Sequence, residues 1–284
     1  MIQELIPQHA VLFEGHGGLP KVVIKTEWSD AEIYLHGAHV THFQKKGETP
    51  LLFLSELSEF ESSKPILGEI PIIFPWFGPR EGFPAHGYAR TTEWKIKESS
   101  LSTTGVVILH FLLPSGELLE VELIVRVAQQ LSLEMIVTNR GEKEATFENC
   151  LHTYFQIGAI DSISIQGLTG SSYLDKVTPG TFTEAAEAIT IASEVDRVYL
   201  DTTATIEITD RKLGRTIRVA KSGSDSTVVW NPWIAKSQRM PDFGDTEYLQ
   251  MLCVESGNLA SNKITLAPGA KSVMTVEISS APPA

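Results

Sequence analysis

Two short stretches carry residue types that move protons. The first is TFENCLHTYFQIG, Thr146–Gly158. Alternation along a strand puts Phe147, Leu151, Phe155 and Ile157 on one side and Cys150, His152, Tyr154 and Gln156 on the other. The second side sets an imidazole among groups that hydrogen-bond, and an imidazole gives or takes a proton near neutral pH because its ordinary pKa lies there. The plain alternative is a core or edge histidine held by one hydrogen bond. The second stretch, Gln250–Glu255, is an apolar run ending in a carboxylate. Its alternation sets Glu255 with Met251 and Cys253, opposite Leu252 and Val254. A carboxylate that closes a buried strand, ahead of a turn expected at Ser256-Gly257-Asn258, is costly without a partner; the alternative is a rim carboxylate in water. One imidazole and one carboxylate suit general acid–base chemistry.

Other chemistries find little support in the chain. His36, His39 and His42 are closely spaced, but His36 and His39 flank a Gly-Ala turn and no carboxylate or cysteine cluster joins them, so a solvated or structural role is expected rather than a metal site. There is no G-x-S-x-G nucleophile motif, no EF-hand loop, and no strand–GxGxxG–helix unit; the GHGG of Gly15–Gly18 joins two strands. Trp76, Trp230 and Trp233 offer flat apolar faces of the kind that stack on sugar rings, with core packing as the alternative.

The 284 residues are 42% hydrophobic and carry a formal net charge of −12, which argues against a general nucleic-acid or anionic-membrane binder while leaving room for a local basic pocket. Two cysteines, Cys150 and Cys253, lie in apolar runs without CxxC spacing and read as buried free thiols of a reducing compartment. The start, MIQELIPQHA, lacks a basic region followed by an apolar run, and no apolar segment approaches the ~20 residues a membrane helix needs. A cytoplasmic protein is expected, with no cofactor, as a monomer or weak oligomer.

The elements that must hold these residues read as strands. Val11–Phe13, Lys21–Thr26, Ala31–Leu35, Val40–Gln44 and Leu51–Phe53 are expected first, then a single helical turn within Leu54–Phe60. Lys64–Trp94 breaks the rhythm: its five prolines and four glycines rule out regular helix, yet it is rich in Ile, Phe and Trp, so it should pack against the body of the domain. Glu93–Glu98, Gly105–Leu113, Glu117–Ala128 and Leu131–Asn139 follow as strands, with turns at Pro114-Ser115-Gly116 and Asn139-Arg140-Gly141; the second turn should fold Leu131–Gly158 into a long hairpin. Ser162–Gln166, Thr205–Thr209, Thr216–Val219, Ser226–Trp230, Leu249–Glu255 and Ser272–Ile278 are further strands. Thr183–Ala188 reads as helical, Lys236–Gly244 as a polar loop, and Ser279–Ala284 as a frayed tail. So many strands with no sustained helical stripe and no linker imply a large antiparallel sandwich, all-β, in one domain over 1–284.

The strings KPILGEIPIIFPWFGP, PAHGYAR, NCLHTYFQIG, EVDRVY, VVWNPW and CVESGN, in this order, resemble the glucose-6-phosphate 1-epimerases, or hexose-6-phosphate mutarotases, of the aldose 1-epimerase superfamily. The resemblance covers nearly the whole chain. It implies a galactose mutarotase-like β-supersandwich with the site on its concave face, and an isomerase that needs neither metal nor cofactor. It implies His152 as general acid and Glu255 as general base, with His86 and Arg90 lining the sugar pocket and Asp196 binding sugar hydroxyls. Its small-molecule partner would be a sugar or sugar phosphate. One departure bears on the phosphate: where the family carries an arginine and two glycines, as KxIRGG, this chain has Leu67, Gly68 and Glu69. Leucine supplies no charge, and Glu69 would repel a dianion if it faced the pocket, so Arg80 or Arg90 is expected to compensate. The alternatives are an epimerase of an unphosphorylated sugar and a non-catalytic carbohydrate-binding protein; a glycosidase would want two carboxylates.

Overall fold

The computed structural model describes residues 3–114 and 118–283. Of the turn expected at Pro114-Ser115-Gly116 and the strand expected from Glu117, Ser115, Gly116 and Glu117 lie outside the described residues. In chain order, β1 (Gln3–Ile6), β2 (Ala10–Glu14), β3 (Pro20–Lys25), β4 (Ser29–Tyr34) and β5 (His39–Lys45) make an antiparallel meander. Next come β6 (Ile72–Ile73), β7 (Lys95–Leu101), β8 (Val107–Leu112), β9 (Leu119–Val127) and β10 (Leu131–Asn139). The segment around His152 holds β11 (Ala145–Phe147), β12 (Asn149–Leu151) and β13 (Tyr154–Gln156). Then follow β14 (Ile163–Gln166), β15 (Ser172–Asp175), β16 (Gly180–Thr183), β17 (Val195–Tyr199), β18 (Ile206–Asp210), β19 (Arg215–Ser222) and β20 (Ser226–Asn231). A short helix, α1 (Trp233–Ser237), precedes β21 (Met251–Asn258), β22 (Ile264–Leu266) and β23 (Lys271–Ala281).

Two large antiparallel sheets organise the domain. One runs β14-β18-β19-β23-β10-β9-β8-β7. The other runs β16-β15-β17-β20-β21-β12-β6, with β13 also on β21. The sequence sorts strands between them. β8 and β9 alternate buried and half-exposed residues, as strands with one wet face do. β20 and β21 are buried at every position, so their sheet is covered on both faces. Leu151, Phe155, Leu252 and Val254 join the large core shared with the first sheet and the meander. Cys150, Tyr154, Trp230, Met251 and Cys253 form a second cluster on the opposite face, with Phe53, Leu67 and Phe243. The expected alternation in both stretches is borne out: it is the partition between these two clusters.

Several expectations fail in instructive ways. Leu131–Gly158 is not a hairpin, because β10 pairs with β9 and β23 while β11 pairs with β22 and β12 with β21. Thr146–Gly158 is three strands rather than one. Leu51–Phe53 makes only a single bridge, Leu52 to Phe155. Leu54–Phe60 and Thr183–Ala188 are not helical, and Thr183 ends β16. Ser256–Asn258 continues β21 instead of turning, and Ser279–Ala281 is paired with Thr216–Arg218 rather than frayed. Lys236–Gly244 begins inside α1 and buries Phe243. Lys64–Trp94 packs as expected: Ile66, Ile70, Ile72, Phe74 and Trp94 are fully or almost fully buried.

Glu69, one of the departures in that segment, is 3% exposed at φ 60°, and its Oε2 has no hydrogen-bond partner. Burial raises its pKa well above 4.5; Glu32 adds to the shift and Lys21 opposes it. A folded-state pKa above the unfolded value means stability is lost as pH rises from the unfolded pKa toward the folded one. Glu69→Gln is therefore expected to gain stability over the parent by about 1.4 kcal/mol per pH unit in that window. Urea melts at pH 5 and pH 8 check this; a difference that does not grow with pH would refute it.

Candidate active site

The site is built by strand register. On one side of a break in the ladder, Leu151 of β12 pairs with Ser256 of β21; on the other, Tyr154 of β13 pairs with Cys253. The register is the same across the break, so His152 falls opposite Glu255. Directly opposed residues bring Cβ atoms within about 5 Å. At the break the backbone of His152 leaves the ladder, its N–H donating to the Pro71 carbonyl at 3.0 Å. The His152 Nε2 lies 3.3 Å from Glu255 Oε1. Glu255 also lies opposite Val228 of β20. In the next row of the sheet Asp196 of β17 faces Trp230, which faces Cys253, which faces Tyr154. Lys176, one residue beyond β15, donates its N–H to the Asp196 carbonyl at 2.9 Å and extends that row. Five separate chain segments thus present their side chains on one face of one sheet.

These residues open on a cavity of about 350 Å³. Its sheet wall includes His152, Tyr154, Lys176, Asp196, Val228, Trp230 and Glu255; α1 and the following loop add Lys236 and Met240. The irregular segment 64–94 supplies Leu67, Phe77, Gly78, Pro79, His86 and Arg90. His86 sits at φ 67° beside Gly87 at φ 73°, where a Cβ would come within 2.0 Å of the Phe74 carbonyl oxygen, so a glycine is needed for the segment to close on β6. The His152 ring stacks on Tyr154 at 4.7 Å and meets His86 and Trp230 edge-on at 5.8 and 6.1 Å.

Electrostatics follow from burial. Desolvation holds His152 well below its ordinary 6.5, with His86 and Arg90 adding to it. Desolvation, then Asp196, pushes Glu255 up to about 8. Near neutral pH these shifts leave the imidazole uncharged and the carboxyl protonated. Burial also drives His86 down to about 3. Its Nδ1 accepts the Gly78 N–H at 3.3 Å, which leaves the proton on Nε2. Cys150 Sγ donates to Glu255 Oε2 at 3.5 Å, fixing the far side of the carboxylate. Arg90 donates to the Ala85 carbonyl at 2.9 Å and has no carboxylate partner among the described residues; its Nε is buried and unpaired. Asp196 is bridged by Lys236 at 3.4 Å and Lys176 at 3.9 Å.

Of the residues singled out in the sequence, the structure brings His152, Glu255, His86, Arg90 and Asp196 to this cavity. Arg80 is elsewhere: its guanidinium lies 4.7 Å from the Trp76 ring and 5.0 Å from Phe83, and it is not among the cavity-lining residues. Leu67 lines the cavity but the buried Glu69 does not. Trp230 lies in the cavity wall, whereas Trp233 packs on Tyr248. His36 and His39 are structural, binding the Lys64 and Gly68 carbonyls at 2.7 and 2.8 Å. Sequence reasoning missed Lys176 and Lys236, because each sits in a polar stretch with no pattern; the signal was Asp196, whose charge needed partners. His152, Cys253 and Glu255 each place one donor atom within 4.8 Å of the others, a set able to hold a metal ion.

Residues 20–279 match the family described as aldose 1-epimerase. A "putative glucose-6-phosphate 1-epimerase" of Cenchrus ciliaris is 37% identical over 278 residues, 92% of this chain and 84% of the relative. A relative of the same name from Escherichia coli K12 is 33% identical over 246 residues, 84% of this chain and 83% of the relative. A crystal structure of a "putative mutarotase" from Salmonella typhimurium superposes with a TM-score of 0.91 at 28% identity, covering 100% of this chain and 97% of that one. Among the described residues, no helix is long and apolar enough to cross a membrane. The all-β sandwich and its likeness to mutarotases agree with the sequence match, and the chain belongs to the aldose 1-epimerase family.

Proposed function

We propose that this protein interconverts the α and β anomers of a hexose 6-phosphate, with glucose 6-phosphate the first candidate. The observation that carries the reading is the His152–Glu255 pair, 3.3 Å apart at the wall of a sugar-sized cavity. Glu255 takes the proton of the C1 hydroxyl while His152 gives one to the ring oxygen, and the C1–O5 bond breaks. The open aldehyde rotates about C1–C2, and closure on the other face returns both protons. In the free site burial disfavours both charges, so the proton rests on Glu255. Sugar hydroxyls entering beside the pair favour its transfer across the 3.3 Å to His152. His86 Nε2 and Asp196 are placed to bind hydroxyls, and Trp230 offers its ring to the sugar. Two buried free thiols, Cys150 and Cys253, support a reducing compartment such as the cytoplasm.

For the phosphate, we assign Arg90, Lys176 and Lys236, the three cations lining the cavity, to the role that Leu67 cannot fill. The second reading, an unphosphorylated aldose, is favoured by Leu67 in the wall and by the prior engagement of Lys236 with Glu194 and Asp196.

Polarimetry or exchange NMR on freshly dissolved α-glucose 6-phosphate and α-galactose tests the reading, and no acceleration on any hexose would leave a sugar-binding protein. His152→Ala and Glu255→Gln should each lower the rate by roughly 10²–10⁴-fold with the fold intact. Lys176→Met and Lys236→Met should raise KM for glucose 6-phosphate about tenfold each and leave glucose turnover close to the parent, whereas Arg80→Ala should leave both substrates unaltered. Equal losses on both sugars would assign the lysines to hydroxyls instead.

The pH profile has a sign. Glu255 is raised to about 8, so kcat/KM should fall above about pH 8 as the free pair loses its proton. It should stay level through pH 6.5, where an ordinary histidine titrates, because His152 is held lower. A fall centred on 6.5 would contradict this.

A further inference from the structure

We propose that the His152–Glu255 floor of the cavity is also a binding site for a thiophilic divalent cation such as zinc, ligated by His152, Cys253 and Glu255, and that the ion and the sugar exclude each other. The three residues come from two strands. Glu255 and Cys253 are two apart on β21, hence on the same face, and His152 stands opposite Glu255 at the break between β12 and β13. One donor atom from each lies within 4.8 Å of the others. Tetrahedral zinc, with bonds of about 2.0 Å to N and O and 2.3 Å to S, sets its ligands roughly 3.3–3.8 Å apart. The 3.3 Å between His152 Nε2 and Glu255 Oε1 already meets this, and donor separations of no more than 4.8 Å leave about 1 Å for the longest of them to close.

The donor set chooses the ion. Imidazole, thiolate and carboxylate are borderline to soft, and favour zinc, cobalt or cadmium over magnesium or calcium, which want oxygen cages. His152 and Glu255 line the cavity and Cys253 lies buried behind them, so the fourth position is left to solvent on the cavity side, as in zinc sites that exchange a ligand. The hydrogen bond from Cys150 to Glu255 Oε2 orients the carboxylate so that Oε1 is presented to the ion. Binding releases the Cys253 thiol proton and the Glu255 carboxyl proton to solvent. The metal-binding claim stands apart from any activity; the exclusion claim rests on the reading that the sugar uses this same pair.

Titration of chelator-treated protein with cobalt(II) tests both. The expected result is one cobalt per chain, with tetrahedral visible bands and a thiolate-to-cobalt charge-transfer band in the near ultraviolet. Cys253→Ser should abolish the charge-transfer band and weaken zinc binding, measured by displacement of cobalt, by about 100-fold or more. Cys150→Ser should retain the band. An octahedral spectrum, or a charge-transfer band that persists in Cys253→Ser, overturns the site. If Cys253→Ser fails to fold, cadmium NMR of the unsubstituted protein decides: a shift for one thiolate ligand supports the site, and a shift for nitrogen and oxygen ligands alone overturns it. Glucose 6-phosphate should displace cobalt. A sugar that is turned over without displacing the ion overturns the exclusion claim alone, while zinc that binds to a protein inert toward every hexose leaves the site standing and removes the catalytic reading.

Discussion

The structure depends on one cross-strand pair. Glu255 lies in the middle of a strand buried at all eight positions, where an isolated carboxylate would be held at a cost of several kcal/mol. Among the described residues no cation is in contact with it. The fold sets an imidazole opposite, at a point where the neighbouring strand has left the ladder, and a thiol on the other oxygen. Burial then opposes both charges, leaving the imidazole neutral and the carboxyl protonated near neutral pH. The arrangement that makes the carboxylate tolerable is also the one on which the proposed proton transfer between two oxygens of a sugar rests.

The second constraint is that a sheet covered on both faces needs a cover that does not fill the site. Segment 64–94 provides it without regular secondary structure beyond the two residues of β6 and a short 3-10 turn. Its Ile and Phe side chains anchor it in the cores, while its backbone reverses at Gly68, Gly78 and Gly87, all at positive φ. A helix in this place would bring one stripe of side chains to the sheet. An anchored loop brings His86 and Arg90 over the sheet while leaving the cavity open between them and His152.

The sequence made the faces legible and the register illegible. Alternation placed His152 and Glu255 correctly on the second face, because a period of two survives even a broken strand. It could not show that they oppose each other, since that depends on β12 and β13 both keeping one register with a strand a hundred residues away. The false hairpin at Asn139–Gly141 has the same origin: the turn residues are present, but Asn139 gives its side chain to the Lys143 and Leu266 carbonyls and sends the chain to β22. Ser279–Ala281 was misread as a frayed end because small polar residues carry no pattern, yet they extend an edge that β19 pairs. The motif strings led to five of the cavity residues, whereas Lys176 and Lys236 became visible only once Asp196 had a place.

The departures Leu67 and Glu69 look like a single loss of anion-binding capacity, but the structure separates them. Glu69 occupies a left-handed backbone position that suits glycine, and its buried side chain is absent from the cavity wall; it is a problem of stability, not of ligand charge. Leu67 does face the cavity, and there it supplies no charge. What remains is Arg90, desolvated and without a carboxylate, and two lysines bridged by Asp196. A phosphate entering beside Arg90 would meet a guanidinium that has lost most of its water and gained no counterion, which is the condition under which a charge-assisted hydrogen bond contributes most. The lysines, already neutralised in part, would contribute less each and be more sensitive to salt. On the proposed reading, the charge that an arginine would supply at position 67 comes instead from Arg90, Lys176 and Lys236, on three segments around the cavity.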